Sequence, residues 1–275
     1  EGEDDSITAT YPVTTGSLVA NGGTGSNNQL TVNLTNNAET VAVDGDSIDV
    51  SGTTAVQYSN LALLTLNTLG GADIITVNGT HAGSTQINTG AGADQITIAQ
   101  SSGVMTINAG TEADTINVRA IGAATTINAG SGNDVINVGS LAPATGVNVN
   151  AIGALLTING EGNSDTLNID DSGDVNANNG TLTNNSLTGL GMLQGIAYGT
   201  IETLNIALGA QGDTFSILST HLGATHLDTG AGADSVTLAA NSGGTDIDTG
   251  TENDTVTVTS NGATTTIMTG AGSDV

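Results

Sequence analysis

Thr89-Gly-Ala-Gly-Ala-Asp-Gln-Ile-Thr-Ile98 returns as Ala129-Gly-Ser-Gly-Asn-Asp-Val-Ile-Asn-Val138, and again as Thr229-Gly-Ala-Gly-Ala-Asp-Ser-Val-Thr-Leu238. Asp94, Asp114 and Asp134 are evenly spaced, one at every twentieth position, as are Asp234, Asp254 and Asp274. Self-similarity at such a period denotes a short structural unit stacked many times. Each unit reads as strand, turn, strand, turn. Thr126-Ile127-Asn128 and Val135-Ile136-Asn137-Val138 alternate polar with apolar, the period-two mark of a half-buried strand. Gly130 and Gly132 stand where the chain must bend tightly. No helical periodicity of useful length appears.

Strands this short build no deep core with their sequence neighbours, so they are expected to pair with their counterparts one coil away, in parallel ladders. Inward aliphatic rows follow: Ile87, Ile107 and Ile127 on one wall, and Ile96, Ile116 and Ile136 with Ile98, Val118 and Val138 on the other. The expected fold is an all-β, right-handed parallel β-solenoid, close to a β-roll, with coils of about 20 residues. At roughly 4.8 Å per coil, about a dozen coils make a rod some 60 Å long.

A longer repeat overlies the short one. Asp73, Asp94, Asp114 and Asp134 recur as Asp213, Asp234, Asp254 and Asp274, each at a displacement of 140. Tyr58 matches Tyr198, and Thr80-His81 matches Thr220-His221. Glu1-Gly-Glu-Asp-Asp-Ser-Ile7 matches Glu161-Gly-Asn-Ser-Asp-Thr-Leu167 at a displacement of 160, so the first copy holds one extra coil between Thr8 and Tyr58. A solenoid tolerates such whole-coil insertion. Residues 1–138 are read as a first array, 139–164 as an irregular connecting coil and 165–275 as a second array. The stretches 139–157 and 170–200 are expected as broader coils or outward loops.

The chain has 275 residues, 27 Asp plus Glu, a single basic side chain, Arg119, and no Cys. A formal charge of -26 excludes a nucleic-acid partner, which needs Lys and Arg to displace counterions. It also disfavours anionic membranes, and no apolar run is long enough to insert into a bilayer. Acidic, aromatic-poor chains are often disordered, but here the hydrophobic residues recur at fixed register. Without Cys there are neither disulfides nor soft-metal sites. The chain begins without Met and stops inside a motif at Thr269-Gly-Ala-Gly-Ser-Asp-Val275, and is read as a piece of something longer.

Stacking places the aspartates at the inter-strand spacing. Two carboxylates about 4.8 Å apart repel by about 0.9 kcal/mol in water and about 3.5 kcal/mol at an effective dielectric near 20. No series of Lys or Arg offsets a row of them. A hard cation held between coils converts that repulsion into attraction. Calcium suits the purpose, because it accepts carboxylate and backbone carbonyl oxygens in flexible numbers.

The pattern Gly-x-Gly-x-Asp-x-(aliphatic)-x resembles the RTX nonapeptide, the calcium-binding repeat of secreted bacterial toxins and adhesins. Thr89 through Thr97 matches every fixed position but the first, where the family has Gly. In that family the Asp carboxylate and turn carbonyls of successive coils share each calcium. The resemblance implies metal ligation at Asp94, Asp114, Asp134, Asp234, Asp254 and Asp274, and in looser contexts at Asp73, Asp165 and Asp213. Gly90, Gly92, Gly130, Gly132, Gly230 and Gly232 would shape the turns. Two departures stand out. One side of each coil carries the motif, so a single row of ions along one edge is expected. Glu112 and Glu252 replace the second Gly in alternate coils and either add a ligand or perturb the site. The one-motif coil is most similar to the calcium-stabilised regions of giant bacterial surface adhesins. The segment from Leu187 to Ile206 resembles repeats of very large extracellular bacterial proteins.

These readings lead to an extracellular or cell-surface structural protein, a stalk, surface-layer or fibre segment whose partners are neighbouring copies or further repeats. Two other classes compete with it. Thr65/Asn67, Thr106/Asn108, Thr126/Asn128, Thr157/Asn159 and Thr203/Asn205 resemble the flat polar arrays of ice-binding solenoids, but His226/Asp228, Asp246/Asp248 and Thr266/Met268 interrupt them. A polysaccharide-processing β-helix enzyme needs a base and cationic groups to stabilise developing negative charge, and one Arg cannot supply them. His81 and His221 lack a second His or Cys at zinc-ligand spacing and read as structural.

Overall fold

The computed structural model describes residues 3–11 and 18–275. Its strands form two sheets of 13 strands each and, among the described residues, no helix. In sheet I lie Leu63–Asn67, Ser84–Asn88, Met105–Asn108, Thr125–Gly132 and Leu156–Asn163. In sheet II lie Ile74–Val77, Gln95–Ile98, Thr115–Val118, Val135–Val138 and Thr166–Asp170. The chain alternates between the sheets, and each strand pairs in parallel with its counterpart one coil away. Gln95–Ile98 thus stands between Ile74–Val77 and Thr115–Val118. In the regular stretch one coil advances the numbering by twenty, as Gln95↔Thr115 and Thr115↔Val135 show. This is the parallel β-solenoid that the alternation and the period require.

The core is the space between the sheets. Ile87, Ile107 and Ile127 line one wall, and Ile96, Ile116, Ile136, Ile98, Val118 and Val138 the other, all essentially without solvent exposure. These rows stack in the expected register. Burying each such side chain contributes about 1.5–3 kcal/mol.

The expectation that strands pair only across coils fails at two places. Thr40–Val43, Ser47–Val50 and Thr53–Ser59 form an antiparallel three-stranded unit within sheet II, and Asn179–Leu182, Ser186–Gly189 and Ile196–Gly199 form its counterpart within sheet I. The stretch 170–200, read above as a broad coil or outward loop, therefore contributes three strands to sheet I. Each unit is fixed by a tyrosine on its last strand. Tyr58 donates its hydroxyl to the Asp44 carbonyl and meets His81 edge-on at 5.8 Å. Tyr198 donates to the Thr183 carbonyl at 2.6 Å and meets His221 at 6.0 Å. The histidines, half-buried beside these rings, therefore hold the units in place.

The extra coil of the first copy is formed by Leu18–Asn21 and Gln29–Asn33. Glu1 and Gly2, matched above with Glu161 and Gly162, lie outside the described residues. The chain leaves the sheets again over residues 139–155 and returns at Leu156. That excursion is tied down by Arg119, whose Nε donates to the Ala142 carbonyl at 2.8 Å.

Candidate functional site

The glycine turns connect one sheet to the other, and their geometry explains their composition. Gly90 and Gly92 have φ of 96° and 130°, in the left-handed region. A Cβ on Gly90 would lie 2.0 Å from the Leu69 carbonyl oxygen of the preceding coil, and one on Gly92 would lie 2.0 Å from that of Gly71. Gly130, Gly132, Gly230 and Gly232 meet the preceding coil in the same way. At these six glycines the coils approach so closely that a Cβ would collide with the backbone of the preceding coil.

That approach aligns the aspartates. Asp94 donates its backbone amide to Oδ1 of Asp114 at 2.7 Å, Asp114 to Asp134 at 2.8 Å, and Asp134 to Asp165 at 2.9 Å. Asp73 precedes them, donating to Asp94 at 2.8 Å. The second array repeats the pattern: Asp213 donates to Asp234, Asp234 to Asp254 and Asp254 to Asp274, at 2.7, 2.9 and 3.1 Å. Eight of the nine aspartates are at most 2% exposed, and Asp274 is half-buried in the last coil. All nine positions named from the motif are thus rungs of carboxylate columns.

Each rung uses one oxygen on this ladder. The other, Oδ2, is buried without any hydrogen-bond partner in Asp73, Asp94, Asp114, Asp134, Asp165, Asp213 and Asp254. In Asp234 it accepts from the Thr229 hydroxyl. A buried carboxylate oxygen with no donor from the protein takes a proton, a cation or an ordered water. Without a cation the carboxyls are pushed toward the protonated form. Burial, then the charges of Asp94, Asp134 and Glu112, raises Asp114 to about 8. Burial, with Asp134 and Glu202 nearby, raises Asp165 to about 6. Burial also raises Asp94, Asp134, Asp213 and Asp234, outweighing the amides they accept.

The single row expected from the sequence is not what forms. Asp73, Asp94, Asp114, Asp134 and Asp165 occupy turns that lead from sheet I to sheet II, whereas Asp213, Asp234, Asp254 and Asp274 occupy turns that lead from sheet II to sheet I. Two columns therefore run on opposite edges, one after the other along the axis. The displacement of 140 equals seven regular coils only numerically. The 139–155 excursion and the three-stranded unit lengthen the path, so Asp73 and Asp213 are separated by eleven half-turns, an odd number.

Several column members escaped the motif. Glu39 donates its amide to Asp73 Oδ1 at 2.8 Å, and Glu202 accepts the Asp165 amide on Oε2 at 2.8 Å, so glutamates close the first column at both ends. The identical Thr-Leu-Asn after Asp165 and after Glu202 was the available signal. At the head of the second column Asn178 donates to Asp213 at 2.7 Å, and its side chain donates to Asp171 at 3.0 Å. Asp171 is fully buried, and burial together with Asp174, Asp213 and Asp170 raises it to about 7. No repeat marks it in the sequence.

Glu112 and Glu252 stand apart from the columns. Their residues are left-handed, with φ of 75° and 80°. Each carboxylate reaches back to the preceding coil, where Oε2 accepts the amide of Gly92 at 2.8 Å or Gly232 at 3.0 Å. Among the described residues no three His, Cys, Asp or Glu side chains gather in a metal-holding cluster. A column supplies one carboxylate per coil, so an ion there would take its remaining ligands from the backbone or from water.

The outer faces of the sheets differ in charge. Apart from Glu161, where Leu156–Asn163 runs on into a turn, the strands of sheet I contain no Asp, Glu, Lys or Arg. Thr31/Asn33, Thr65/Asn67, Gln86/Asn88, Thr106/Asn108, Thr126/Asn128 and Thr157/Asn159 lie side by side on it. Their asparagines form a continuous ladder, each side-chain amide donating to the asparagine of the preceding coil at 2.7–2.8 Å. Thr203/Asn205, grouped with this array above, belongs to sheet II, as do the charged interruptions at His226/Asp228 and Asp246/Asp248. Sheet I continues instead as Thr214/Ser216, Ser235/Thr237 and Thr255/Thr257.

Fold and turns together define a repetitive parallel β-solenoid with carboxylate columns along its edges. No protein-family model matches the sequence, and no curated protein does. Among solved structures, a hyperactive, Ca2+-dependent, beta-helical antifreeze protein from an Antarctic bacterium is similar at 18% identity, over 99% of this chain and 83% of that one, with a TM-score of 0.33. At that distance nothing is transferred from it.

Proposed function

We propose that this chain is a structural segment of an extracellular protein, a rod that calcium rigidifies. The observation that carries the reading is the set of seven buried Oδ2 atoms without donors, arranged in columns that no Lys or Arg approaches. Those orphaned oxygens fit a hard cation. Asp73, Asp94, Asp114, Asp134 and Asp165 would hold ions on one edge, and Asp213, Asp234, Asp254 and Asp274 on the other. A bound ion supplies the positive charge that lets all rungs ionise together. Where calcium is scarce the columns repel or protonate; where it is plentiful, as outside cells, the rod stiffens. Thermal melts with and without a chelator test the proposal, with the bound ions counted by native mass spectrometry. Unchanged melting on chelation would remove it.

A second reading is favoured by one observation, the uncharged face of sheet I. Charged side chains hold a disordered hydration shell, whereas this face offers hydroxyls and amides at the regular coil spacing of about 4.8 Å. An ice-adsorbing surface needs such a flat, rigid, repeating face. Thermal hysteresis of the calcium-loaded protein, measured beside a variant carrying Thr106→Asp and Thr126→Asp, tests this. Equal hysteresis in both proteins, or none in either, counts against it.

A further inference from the structure

We propose that Glu112 and Glu252 set the order of cation uptake, so that the rungs Asp94–Asp114 and Asp234–Asp254 fill first. The proposal rests on the columns being cation sites and adds a hierarchy among them. Four observations lead to it.

The same substitution, Glu for the second Gly of the turn, occurs once in each array at the displacement of 140, although the two turns lie on opposite edges. Whatever the glutamate does, it therefore follows the column and not the face. Both residues are held in a left-handed conformation that strains any non-glycine residue. Glycine occupies that place in neighbouring turns such as those at Gly92 and Gly132 without this strain. Each carboxylate is pinned by the amide of the preceding coil and by its own neighbour, Thr111 at 2.7 Å or Thr251 at 2.6 Å. Finally, the negative charge of Glu112 bears on both Asp94 and Asp114, and that of Glu252 on Asp234. Asp94 and Asp114 are 2% and 1% exposed, and each keeps an unpartnered oxygen.

Glu112 is thus a fixed third charge beside a pair of buried carboxylates. It stands outside the buried column, exposed to solvent, with its Oε2 held by Gly92 and Thr111. Its effect on a divalent ion is electrostatic. A fixed carboxylate beside the column strengthens divalent-ion binding by about threefold to tenfold once salt screening is included. Turns with Gly at that place, such as that of Gly132, add no charge beyond the column's own carboxylates, and their rungs fill later.

Calcium titration against a competing chromophoric chelator, on the whole chain, distinguishes charge from clamp. In the wild type we expect two ions per chain bound about threefold to tenfold more tightly than the rest. The double variant Glu112→Gln, Glu252→Gln keeps an oxygen to accept the Gly92 and Gly232 amides but loses the charge, and should merge that tight class with the others. The double variant Glu112→Gly, Glu252→Gly loses clamp and charge while relieving the backbone, and should give the same isotherm as the Gln variant. An isotherm identical in wild type and Gln variant would overturn the hierarchy while leaving the columns as cation sites. A wild type that binds no calcium would overturn both.

Discussion

The two arrays carry the same turn, the same ladder and the same glycines, yet they display their carboxylates on opposite edges. On the first edge Glu39 and Glu202 bracket Asp73 to Asp165. On the second, Asn178 and Asp171 lead into Asp213 to Asp274. The difference shows what a short repeat encodes. Gly-x-Gly-x-Asp specifies a tight turn and a rung, and it works equally well at either edge. Which edge it occupies depends on the number of half-turns since the last column, and that number is set by the segments between arrays. The three-stranded unit and the 139–155 excursion are thus what make the solenoid two-sided.

The strongest way to break this comparison is to strip the cations and vary pH. Asp165, Asp171 and Asp114 titrate at about 6, about 7 and about 8 in the folded protein. All lie above the ordinary Asp value near 3.9, so between those limits the folded state binds more protons than the unfolded one. Stability in chelator should therefore be greatest near pH 4 and fall as pH rises to about 8. With calcium bound the rungs are ionised in the folded state, and stability should instead be lost on acidification. Each ion at a hundredfold excess over its Kd contributes about 2.7 kcal/mol. Denaturant melts across this pH range, with and without chelator, should give slopes of opposite sign; matching slopes would deny the columns any cation.

Next in size is the closeness of the coils. A Cβ on Gly110 would sit 2.0 Å from the Gly90 carbonyl oxygen, and one on Gly250 would sit 1.7 Å from that of Gly230. With positive φ at both, Gly110→Ala and Gly250→Ala should each cost about 3 kcal/mol or more, read as a shift in urea midpoint. Similar losses in the two arrays would show the turn to be indifferent to its edge. A loss at Gly110 below about 1 kcal/mol would mean that the coils slide apart freely.

The sequence carried the coil itself. Ile87, Ile107 and Ile127 fell into register because a twenty-residue period with two-residue alternation leaves no other stacking. The rungs were readable for the same reason, each fixed by its distance from a glycine pair. What was not readable depends on partners outside the period. Nothing around Asp171 repeats, so its burial beneath Val149 and Asn178 emerges only when the excursion folds back. Glu202 hid because it substitutes for Asp with one more methylene. Thr203/Asn205 looked like a member of the sheet I array because local sequence does not tell one sheet from the other. The antiparallel units were missed because their short strands resemble every other strand in the chain.

A subtler contrast lies between the two asparagine ladders. In sheet I the bonds are uniform at 2.7–2.8 Å, and Asn108 sits between Asn88 and Asn128. In sheet II the ladder starts weakly, with Asn117 donating to the Thr97 hydroxyl at 3.4 Å and accepting from Asn137 at 3.0 Å. Asn108→Ala breaks two good bonds and should cost about 1–2 kcal/mol, with Asn117→Ala costing less. The order of the two melting temperatures is the readout, and a reversed order would mean that the ladders are not what stiffens the faces.

The smallest effect is expected on the charged face. His226 Nδ1 lies 3.0 Å from Asp246 Oδ2, and both side chains are nearly half exposed, at 47% and 45%. An ion pair so open to water is screened by salt and gains little over its solvated partners, so His226→Ala should change stability by less than about 0.5 kcal/mol. Asp228 and Asp248, adjacent in the ladder, repel each other across the same open surface, where water carries most of the field. A loss above about 1 kcal/mol on removing His226 would show that the carboxylates of sheet II need a counter-charge as the buried columns do. A neutral result, beside large losses on stripping the columns, would place the demand for cations at the edges and leave the faces free of it.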